Sequence, residues 1–187
     1  MDYYVDVKVK PDPEFPANLL LSALISKLHR SLSAMGKSSI GVSFPHFDLR
    51  PVHLGSCLRL HSDHLSLTDF LNTDWLLGML DHVDVTNISQ IPSEVQHRVV
   101  RRIQSKSNPE RLRRRLMLRH DLDEQQSIER IPDNAACFLN LPFVQLRSTS
   151  TGQNFRVFID HGMLQPHSVL GQFNSYGLSQ GATIPWF

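Results

Sequence analysis

Apolar residues recur along the first half of the chain with two different spacings. Tyr3 to Val9 is rich in β-branched and aromatic residues, which favours a strand. From Ala17 to Ala34, leucine and isoleucine return every three or four positions, which predicts an amphipathic helix. Its apolar stripe consists of Leu20, Leu21, Leu24, Ile25 and Leu28.

Similar patterns continue to about residue 94. Strands are predicted at residues 41–44, 57–61 and 82–85, and a second amphipathic helix at residues 65–80. The order βαββαβ is that of a ferredoxin-like domain, in which two helices cover a four-stranded antiparallel sheet. We therefore predict an α+β protein with an N-terminal ferredoxin-like domain over residues 1–94.

The second half of the chain opens with a charged helix. Ser107-Asn108-Pro109-Glu110 supplies an N-cap, a proline at the first helical position and an acid in the first turn, so a helix should begin at Pro109. A shorter helix is predicted near Asp123 to Arg130, and strands at residues 143–147 and 155–159. Residues 95–187 are expected to form a smaller α+β domain that carries the arginine-rich helix.

Positive charge is concentrated in this second half. Of the 19 Lys and Arg residues, nine fall between Arg98 and Arg119 with Glu110 as the only acid, while elsewhere ten cations face 17 acids. A basic segment on a mildly acidic body favours a polyanionic partner, nucleic acid first. A solvated or protein-binding face is the alternative, although such a face would more often mix Lys with Glu.

The charged helix is predicted to gather guanidinium groups on one side. At 100° per residue, one arc of the helix contains Arg111, Arg114, Arg115 and Arg119. The β-branched stretch before it should be extended and bring Arg102 and Gln104 to the same surface. Guanidinium groups suit phosphates and guanine edges, and a glutamine amide suits an adenine edge.

The sequence shows no pattern of a signal peptide, a membrane span or a cysteine-rich protein. Asp2 and Asp6 stand where a signal peptide would be basic and then apolar, and no stretch approaches 18 apolar residues. We therefore expect a cytoplasmic protein without membrane contact. Cys57 and Cys137 form neither a disulfide framework nor a cysteine zinc motif, so both are interpreted as small apolar residues.

Several chemical motifs are incomplete. Gly36-Lys37-Ser38 resembles the end of a phosphate-binding loop, but Ser31 stands where the first glycine is required. His61-Ser62-Asp63-His64 lacks a second half with metal-ligand spacing and is interpreted as a surface turn. No acidic cluster suits a two-metal nuclease. We predict no metal and no other cofactor, and any cleavage of nucleic acid should be metal-free.

Metal-free cleavage of RNA requires a base for the 2′-hydroxyl and groups that hold ribose and phosphate in line. Histidine suits this task because its ordinary pKa lies near neutral pH. Among ten histidines, His29 is a candidate because it lies in the last turn of the first predicted helix, before the Gly36 loop. A structural histidine at a helix end is the alternative interpretation.

Ten short segments, spread over the chain, form a specific combination. They are Asp12-Pro13-Glu14-Phe15-Pro16, Lys27-Leu28-His29, residues 40–45, residues 106–117, residues 141–144, Arg147-Ser148, Ser150-Thr151-Gly152-Gln153, Phe155-Arg156, Tyr176-Gly177-Leu178-Ser179 and Pro185-Trp186-Phe187. Together they resemble the CRISPR repeat-processing endoribonucleases of type I-F systems. That family belongs to the repeat-associated RNA-binding superfamily, which is built on ferredoxin-like folds. Residues 46–98 contribute little to the resemblance.

The resemblance implies an endoribonuclease that binds the stem-loop of each CRISPR repeat in precursor crRNA. Cleavage at the 3′ base of the stem would leave a 5′-hydroxyl and a 2′,3′-cyclic phosphate. His29 would activate the 2′-hydroxyl, Ser148 would hold that ribose, and Tyr176 would position the histidine or the ribose. Ser150 would be a supporting hydroxyl.

The resemblance also implies how the hairpin is held. The basic helix would enter the major groove of the stem, Arg102 and Gln104 would read a guanine and an adenine, and Phe155 would stack on the terminal base pair. An A-form groove admits side chains only near a helix end, which a short hairpin cut at its base provides. The residues implied in RNA binding are Arg102, Gln104, Arg111, Arg114, Arg115, Arg119, Ser150 and Phe155.

One departure and two alternatives accompany the resemblance. Leu118 interrupts the arginine arc where the family typically has another Arg, which should weaken binding and flatten its salt dependence. The family retains its product hairpin and becomes a subunit of the crRNA-guided surveillance complex. The alternatives are an RNA-binding subunit of such a complex that no longer cleaves, and a regulator that binds duplex DNA. No helix-turn-helix spacing supports the regulator.

Overall fold

The chain forms two compact units. The computed structural model describes residues 1–36, 39–104, 109–132, 139–148 and 151–187, without the side chains of residues 109–111. One unit contains Met1–Ile103 and Leu141–Phe187, and the other contains Gln104–Asn140. The predicted domain boundary at residue 94 stays a prediction. Lys37 and Ser38 of the incomplete phosphate-loop motif, the Ser107-Asn108 cap, Cys137 and Ser150 lie outside the described residues.

The first unit is a mixed α+β structure with antiparallel sheets. Its described helices are α1 (Ala17–Met35) and α2 (His64–Leu71). Its described strands are β1 (Tyr3–Val9), β2 (Gly41–Ser43), β3 (Asp48–Leu49), β4 (Val52–His53), β5 (Cys57–Ser62), β6 (Val83–Val85), β7 (Ser89–Gln90), β8 (Gln96–Arg98), β9 (Val100–Ile103), β10 (Phe143–Arg147), β11 (Asn154–His161) and β12 (Ile184–Trp186).

Two sheets and two ribbons result from these strands. The larger sheet has the order β2-β5-β1-β6, and β7 also pairs with β1. The second sheet has the order β10-β11-β9. β12 pairs with β8, and β3 pairs with β4. The predicted strands at residues 3–9 and 143–147 are confirmed with the same bounds.

The core is built on the two periodicities that the sequence predicts. In β1, Val5, Val7 and Val9 are buried, as expected for one face of a strand. All five predicted stripe residues of α1 are buried, together with Leu32, and α1 packs against β1 and β10. Cys57 is also buried, and this burial raises the pKa of its thiol to about 11.

The predicted helix over residues 65–80 is wrong in its second half. The helix α2 ends at Leu71, and two short 3₁₀ turns follow at Asp74–Leu76 and Leu80–His82. Between those turns lies Gly78, whose φ of +76° belongs to the left-handed region and interrupts a helix. Leu80 is therefore 61% exposed, although Trp75 and Met79 remain buried.

The interpretation of residues 61–64 as a surface turn is also wrong. His61 and Ser62 are buried in β5, and His61 Nε2 lies 2.8 Å from Ser43 Oγ. The Asp63 carboxylate accepts from the backbone N–H of Ser66 and caps α2. The segment has the polar residues of a turn, but they serve a cross-strand contact and a helix cap.

The second unit contains the arginine-rich helix. This helix, α3 (Pro109–His120), begins at the predicted residue, and α4 (Glu124–Arg130) follows it. A capping box at Asp123 and Gln126 fixes the start of α4. α3 packs against α4, and Arg113 Nε donates to the Ile131 carbonyl at 2.7 Å. In the part of the chain that the structure describes, no helix has the length and apolar character needed to cross a bilayer.

Candidate active site

His29 lies near the C-terminal end of α1 with its side chain half-buried. Its Nδ1 atom is 3.3 Å from the backbone oxygen of Ser175. A carbonyl oxygen can only accept a hydrogen bond, so Nδ1 carries the hydrogen in this contact. In the neutral imidazole, Nε2 then has the lone pair that a general base needs.

Tyr176 covers one flat side of the His29 imidazole. The two rings are stacked, with centroids 4.0 Å apart and planes 3° from parallel. Burial raises the pKa of the Tyr176 phenol, and the Arg102 guanidinium partly opposes that shift. The phenol is therefore neutral near pH 7 and able to donate a hydrogen bond.

Ser148 follows β10 directly and begins the turn into β11. Its N–H donates to the Gln153 carbonyl at 2.9 Å, and its carbonyl accepts from the Gly152 N–H at 2.9 Å. Its Oγ accepts from the Thr151 N–H at 3.2 Å. Gly152 has a φ of +68°, which favours glycine at this position. The hydroxyl is therefore fixed at the end of a strand.

Packing of α1 against β10 brings His29 and Ser148 to the same place. Ser22 Oγ accepts from the Gln145 N–H at 3.2 Å and donates to the Asn18 carbonyl at 2.7 Å. From Ser22 to His29 the helix rises about 10 Å, and from Gln145 to Ser148 the strand advances by about the same distance. The first half of α1 lines a groove with all of β10, and the second half lines a cavity with only the end of β10 and Ser148, so the helix and the strand advance in one direction.

The cavity has a volume of about 550 Å³ and gathers all three predicted catalytic residues together with Phe155. Its lining residues are Ser26, His29, Arg30, Leu146, Arg147, Ser148, Gly152, Phe155 and Tyr176. Two cationic residues line it, which suits an anionic group next to His29. Among the described residues, no group of three His, Cys, Asp or Glu side chains could hold a metal ion.

Sequence reasoning did not assign five of these lining residues a role. The sequence offered two signals for them: Arg30 follows the candidate base directly, and Ser26 precedes His29 by about one helical turn. Arg147 adjoins Ser148, and its Nε donates to the Gly152 carbonyl at 3.0 Å. No pattern along the sequence indicates that pairing, because it depends on the turn between β10 and β11.

Arg102 of β9 lies against the aromatic residues of the cavity. Its guanidinium carbon is 5.6 Å from the ring centroid of Tyr176 and 6.0 Å from that of Phe155. Its backbone carbonyl accepts from Gln180 Nε2 at 3.1 Å. Its Nε is buried and has no hydrogen-bond partner among the described residues. A buried donor of this kind calls for a partner, which a ligand can provide.

The other predicted RNA-binding residues belong to the second unit or lie outside the description. On α3, Arg114, Arg115 and Arg119 are exposed, and Leu118 between them is 81% exposed. Gln104, at the start of that unit, is exposed as well. The side chain of Arg111 and the whole of Ser150 lie outside the described residues.

Comparisons with known proteins cover the full chain. A family model described as "CRISPR-associated protein (Cas_Csy4)" matches residues 4–187. A protein of Pseudomonas aeruginosa named "CRISPR-associated endonuclease Cas6/Csy4" is 51% identical over 187 residues, which is all of both chains. A protein of the same name from Escherichia coli is 44% identical, again over all of both chains. A solved structure titled "An RAMP protein binding different RNA substrates" is 13% identical over 98% of this chain with a TM-score of 0.31, too low to bear on the fold.

Proposed function

Because the chain belongs to the family of CRISPR-associated proteins described as Cas_Csy4, we propose that it is a CRISPR-associated endoribonuclease. Its substrate is the repeat stem-loop in precursor crRNA, which it cuts at the 3′ base of the stem. The observation that carries the proposal is the cavity shared by His29, Ser148 and Tyr176. A base, a hydroxyl and a phenol around one space form a set that suits transesterification of RNA.

In the proposed reaction, Nε2 of His29 removes the proton of the 2′-hydroxyl upstream of the scissile phosphate. The 2′-oxygen attacks phosphorus, and the bond from phosphorus to the 5′-oxygen of the next nucleotide breaks. That oxygen gains a proton, which balances the one that His29 has removed, so the products are a 2′,3′-cyclic phosphate and a 5′-hydroxyl. The Nδ1 contact with the Ser175 carbonyl supports this assignment because, in the neutral imidazole, it places the hydrogen on Nδ1 and the lone pair on Nε2. No step requires a metal.

Ser148 and Tyr176 have positioning roles in this proposal. The fixed backbone of Ser148 supports a hydroxyl that holds the attacking ribose. Stacking of Tyr176 on the imidazole supports a role in keeping His29 oriented. Phe155 stacks on the terminal base pair, a contact worth about 1–3 kcal/mol. Ser150 is kept as a supporting hydroxyl.

Recognition of the stem is assigned to the guanidinium groups. The exposed Arg114, Arg115 and Arg119, with Arg111, bind the stem in its major groove near the helix end. Arg102 contacts a guanine and Gln104 contacts an adenine. The Nε atom of Arg102, which has no hydrogen-bond partner among the described residues, supports the role of Arg102 in this recognition. The product hairpin stays bound, and the protein becomes a cytoplasmic subunit of the crRNA-guided surveillance complex.

We also propose a ferredoxin-like fold for residues 1–94, followed by an RNA-binding domain over residues 95–187. The strand order β2-β5-β1-β6, with α1 after the first strand and α2 after β5, supports the ferredoxin-like arrangement. The small β3–β4 ribbon is then an insertion between the second and third strands of that motif.

A cleavage assay on the repeat RNA in EDTA tests the proposed function. His29→Ala should reduce the rate of single-turnover cleavage by about 10²–10⁴-fold, while hairpin affinity should stay unchanged. The matched control is His167→Ala, which removes an exposed imidazole and should cleave normally. Tight binding without cleavage by the unaltered protein would favour a non-catalytic RNA-binding subunit. Cleavage that survives His29→Ala would move the base elsewhere.

A further inference from the structure

The turn that contains Ser175 and Tyr176 is closed by Asn174. Asn174 Oδ1 accepts from the backbone N–H of Tyr176 at 2.8 Å and from that of Leu178 at 3.2 Å. Asn174 N–H donates to the Leu178 carbonyl at 2.9 Å, and the Asn174 carbonyl accepts from the Gly177 N–H at 2.8 Å. Both side-chain contacts have N–H donors, so the amide must present its oxygen to them. Four hydrogen bonds thus converge on this one residue.

The far side of the turn is fixed to the core of the larger sheet. The Gly177 carbonyl accepts from the Val42 N–H at 2.9 Å, and Leu178 is buried. Gly177 has a φ of +69°, and a Cβ there would stand 2.5 Å from Val42 Cγ1. The turn therefore closes tightly onto β2 at one end, while Asn174 sets its shape at the other.

Two successive residues of this turn make both contacts with the imidazole of His29. The Ser175 carbonyl faces Nδ1 at 3.3 Å, and the Tyr176 ring lies 4.0 Å from the imidazole centroid. The Ser175 carbonyl and the Tyr176 N–H belong to one planar peptide unit. Because Asn174 Oδ1 accepts a hydrogen bond from that N–H, it also sets the direction of the Ser175 carbonyl. The side chain of Asn174 itself is exposed and does not line the cavity.

We propose that Asn174 is a positioning residue of the cleavage reaction. Its side-chain oxygen aims the Ser175 carbonyl at Nδ1 and thereby fixes the tautomer in which Nε2 is the base. This inference rests on the proposed function. Groups that orient a catalytic or metal-bound histidine from behind commonly contribute about 10–100-fold when they are removed, because the histidine then spends less time in its working form.

The test compares Asn174→Ala with Asn174→Asp. Alanine removes the acceptor for both N–H groups, whereas aspartate keeps an oxygen in the same place and suits the same turn. In single-turnover cleavage of the repeat hairpin, Asn174→Ala should be at least about tenfold slower and Asn174→Asp should lie within about threefold of the unaltered protein. Hairpin affinity should change by less than about twofold in both variants, because the proposed role concerns His29 and not binding.

A spectroscopic measurement separates positioning from a general structural effect. Nitrogen NMR of the His29 ring should report the Nδ1–H tautomer in the unaltered protein and in Asn174→Asp, and a mixture in Asn174→Ala. Should the alanine variant not fold, Asn174→Ser serves instead, because its shorter hydroxyl supports the turn more weakly and should give an intermediate rate.

The outcomes distinguish this inference from the function on which it rests. Normal cleavage by Asn174→Ala, or a slower rate with an unchanged tautomer, would overturn the role of Asn174. Loss of hairpin affinity in step with the rate would overturn it too, because the turn would then act on binding. Normal cleavage by His29→Ala would instead remove the role of His29 on which the inference rests, and tight binding without cleavage by the unaltered protein would remove the proposed function itself.

Discussion

The side chains around His29 are held at short range by their neighbours, whereas Arg114, Arg115 and Arg119 of α3 are exposed to solvent. In the cavity, a half-buried imidazole has a carbonyl on one edge and a ring on its face. On the helix, Arg114, Arg115 and Arg119 are exposed and can follow the groove of a bound RNA. Chemistry requires a fixed geometry, and affinity for a polyanion requires charge density, so the two regions need different construction.

Removal of the arginine face should produce the largest change in binding. A triple substitution of Arg114, Arg115 and Arg119 to alanine should weaken hairpin affinity by at least about 10²-fold, because each guanidinium contact is worth about 1–3 kcal/mol. The log–log salt dependence should flatten by about two units or more. Single-turnover cleavage at saturating protein should stay near normal, which fluorescence titration and a quenched cleavage assay measure separately.

The control for this triple variant removes the same charge elsewhere. The control replaces three cationic residues of the first unit with alanine, namely Lys8, Lys10 and Arg50, of which Lys8 and Arg50 are exposed. It lowers the net charge by the same three units as the triple variant of α3. Its salt dependence should change much less. Equal loss of affinity in both variants would mean that overall charge, and not the helix face, holds the RNA. A large fall in the saturated rate would tie the helix to chemistry.

Acidification should weaken the unit that contains the cavity. Burial lowers the pKa of His61 and of His161 to about 3 each, and Arg98 adds to the effect at His161. The unfolded chain then binds these protons near pH 6.5 and the folded chain does not, so stability is lost as pH falls below about 6.5. At pH 5 each histidine should cost about 2 kcal/mol of unfolding free energy.

Substitution of His161 isolates its share of this effect. His161 stacks on Phe47 with ring centroids 3.7 Å apart, and both of its ring nitrogens are buried with no hydrogen-bond partner among the described residues. His161→Phe keeps a ring without a titrating group, so the loss of stability from pH 7 to pH 5 should shrink by about 2 kcal/mol. His167→Phe, at an exposed histidine, should leave the loss unchanged. Urea unfolding at the two pH values decides the matter, and equal losses in all variants would contradict the assignment.

Those parts of the fold that depend on periodicity or on local residue preferences could be predicted from the sequence. The face of α1 and the strands β1 and β10 follow from periodicity because each buries one side against the core. The start of α3 at Pro109 follows from local proline and acid preferences. The region from residue 65 to residue 80 does not follow, because a helical spacing of apolar residues continues through Gly78.

The candidate site was only partly predictable for a related reason. His29 and Tyr176 are far apart in the sequence, and only the resemblance to a family joined them before the fold did. The carbonyl of Ser175 and the side chain of Asn174 have no signal of their own, because their roles arise from a turn that is closed by hydrogen bonds. A polar residue in such a turn looks like any other loop residue.

Leu118 offers the smallest but sharpest test of the arginine face. This residue is 81% exposed between Arg115 and Arg119. Leu118→Arg should tighten hairpin binding by less than about tenfold and steepen the log–log salt dependence by about one unit or less, because one phosphate contact is added. Leu118→Gln removes the exposed leucine without adding charge and should change neither quantity. If both variants bind alike, the arc is not aimed at phosphate at this position, and affinity must come from its flanks. If only Leu118→Arg steepens the salt dependence, position 118 faces a phosphate, and Leu118 interrupts an otherwise basic helix face.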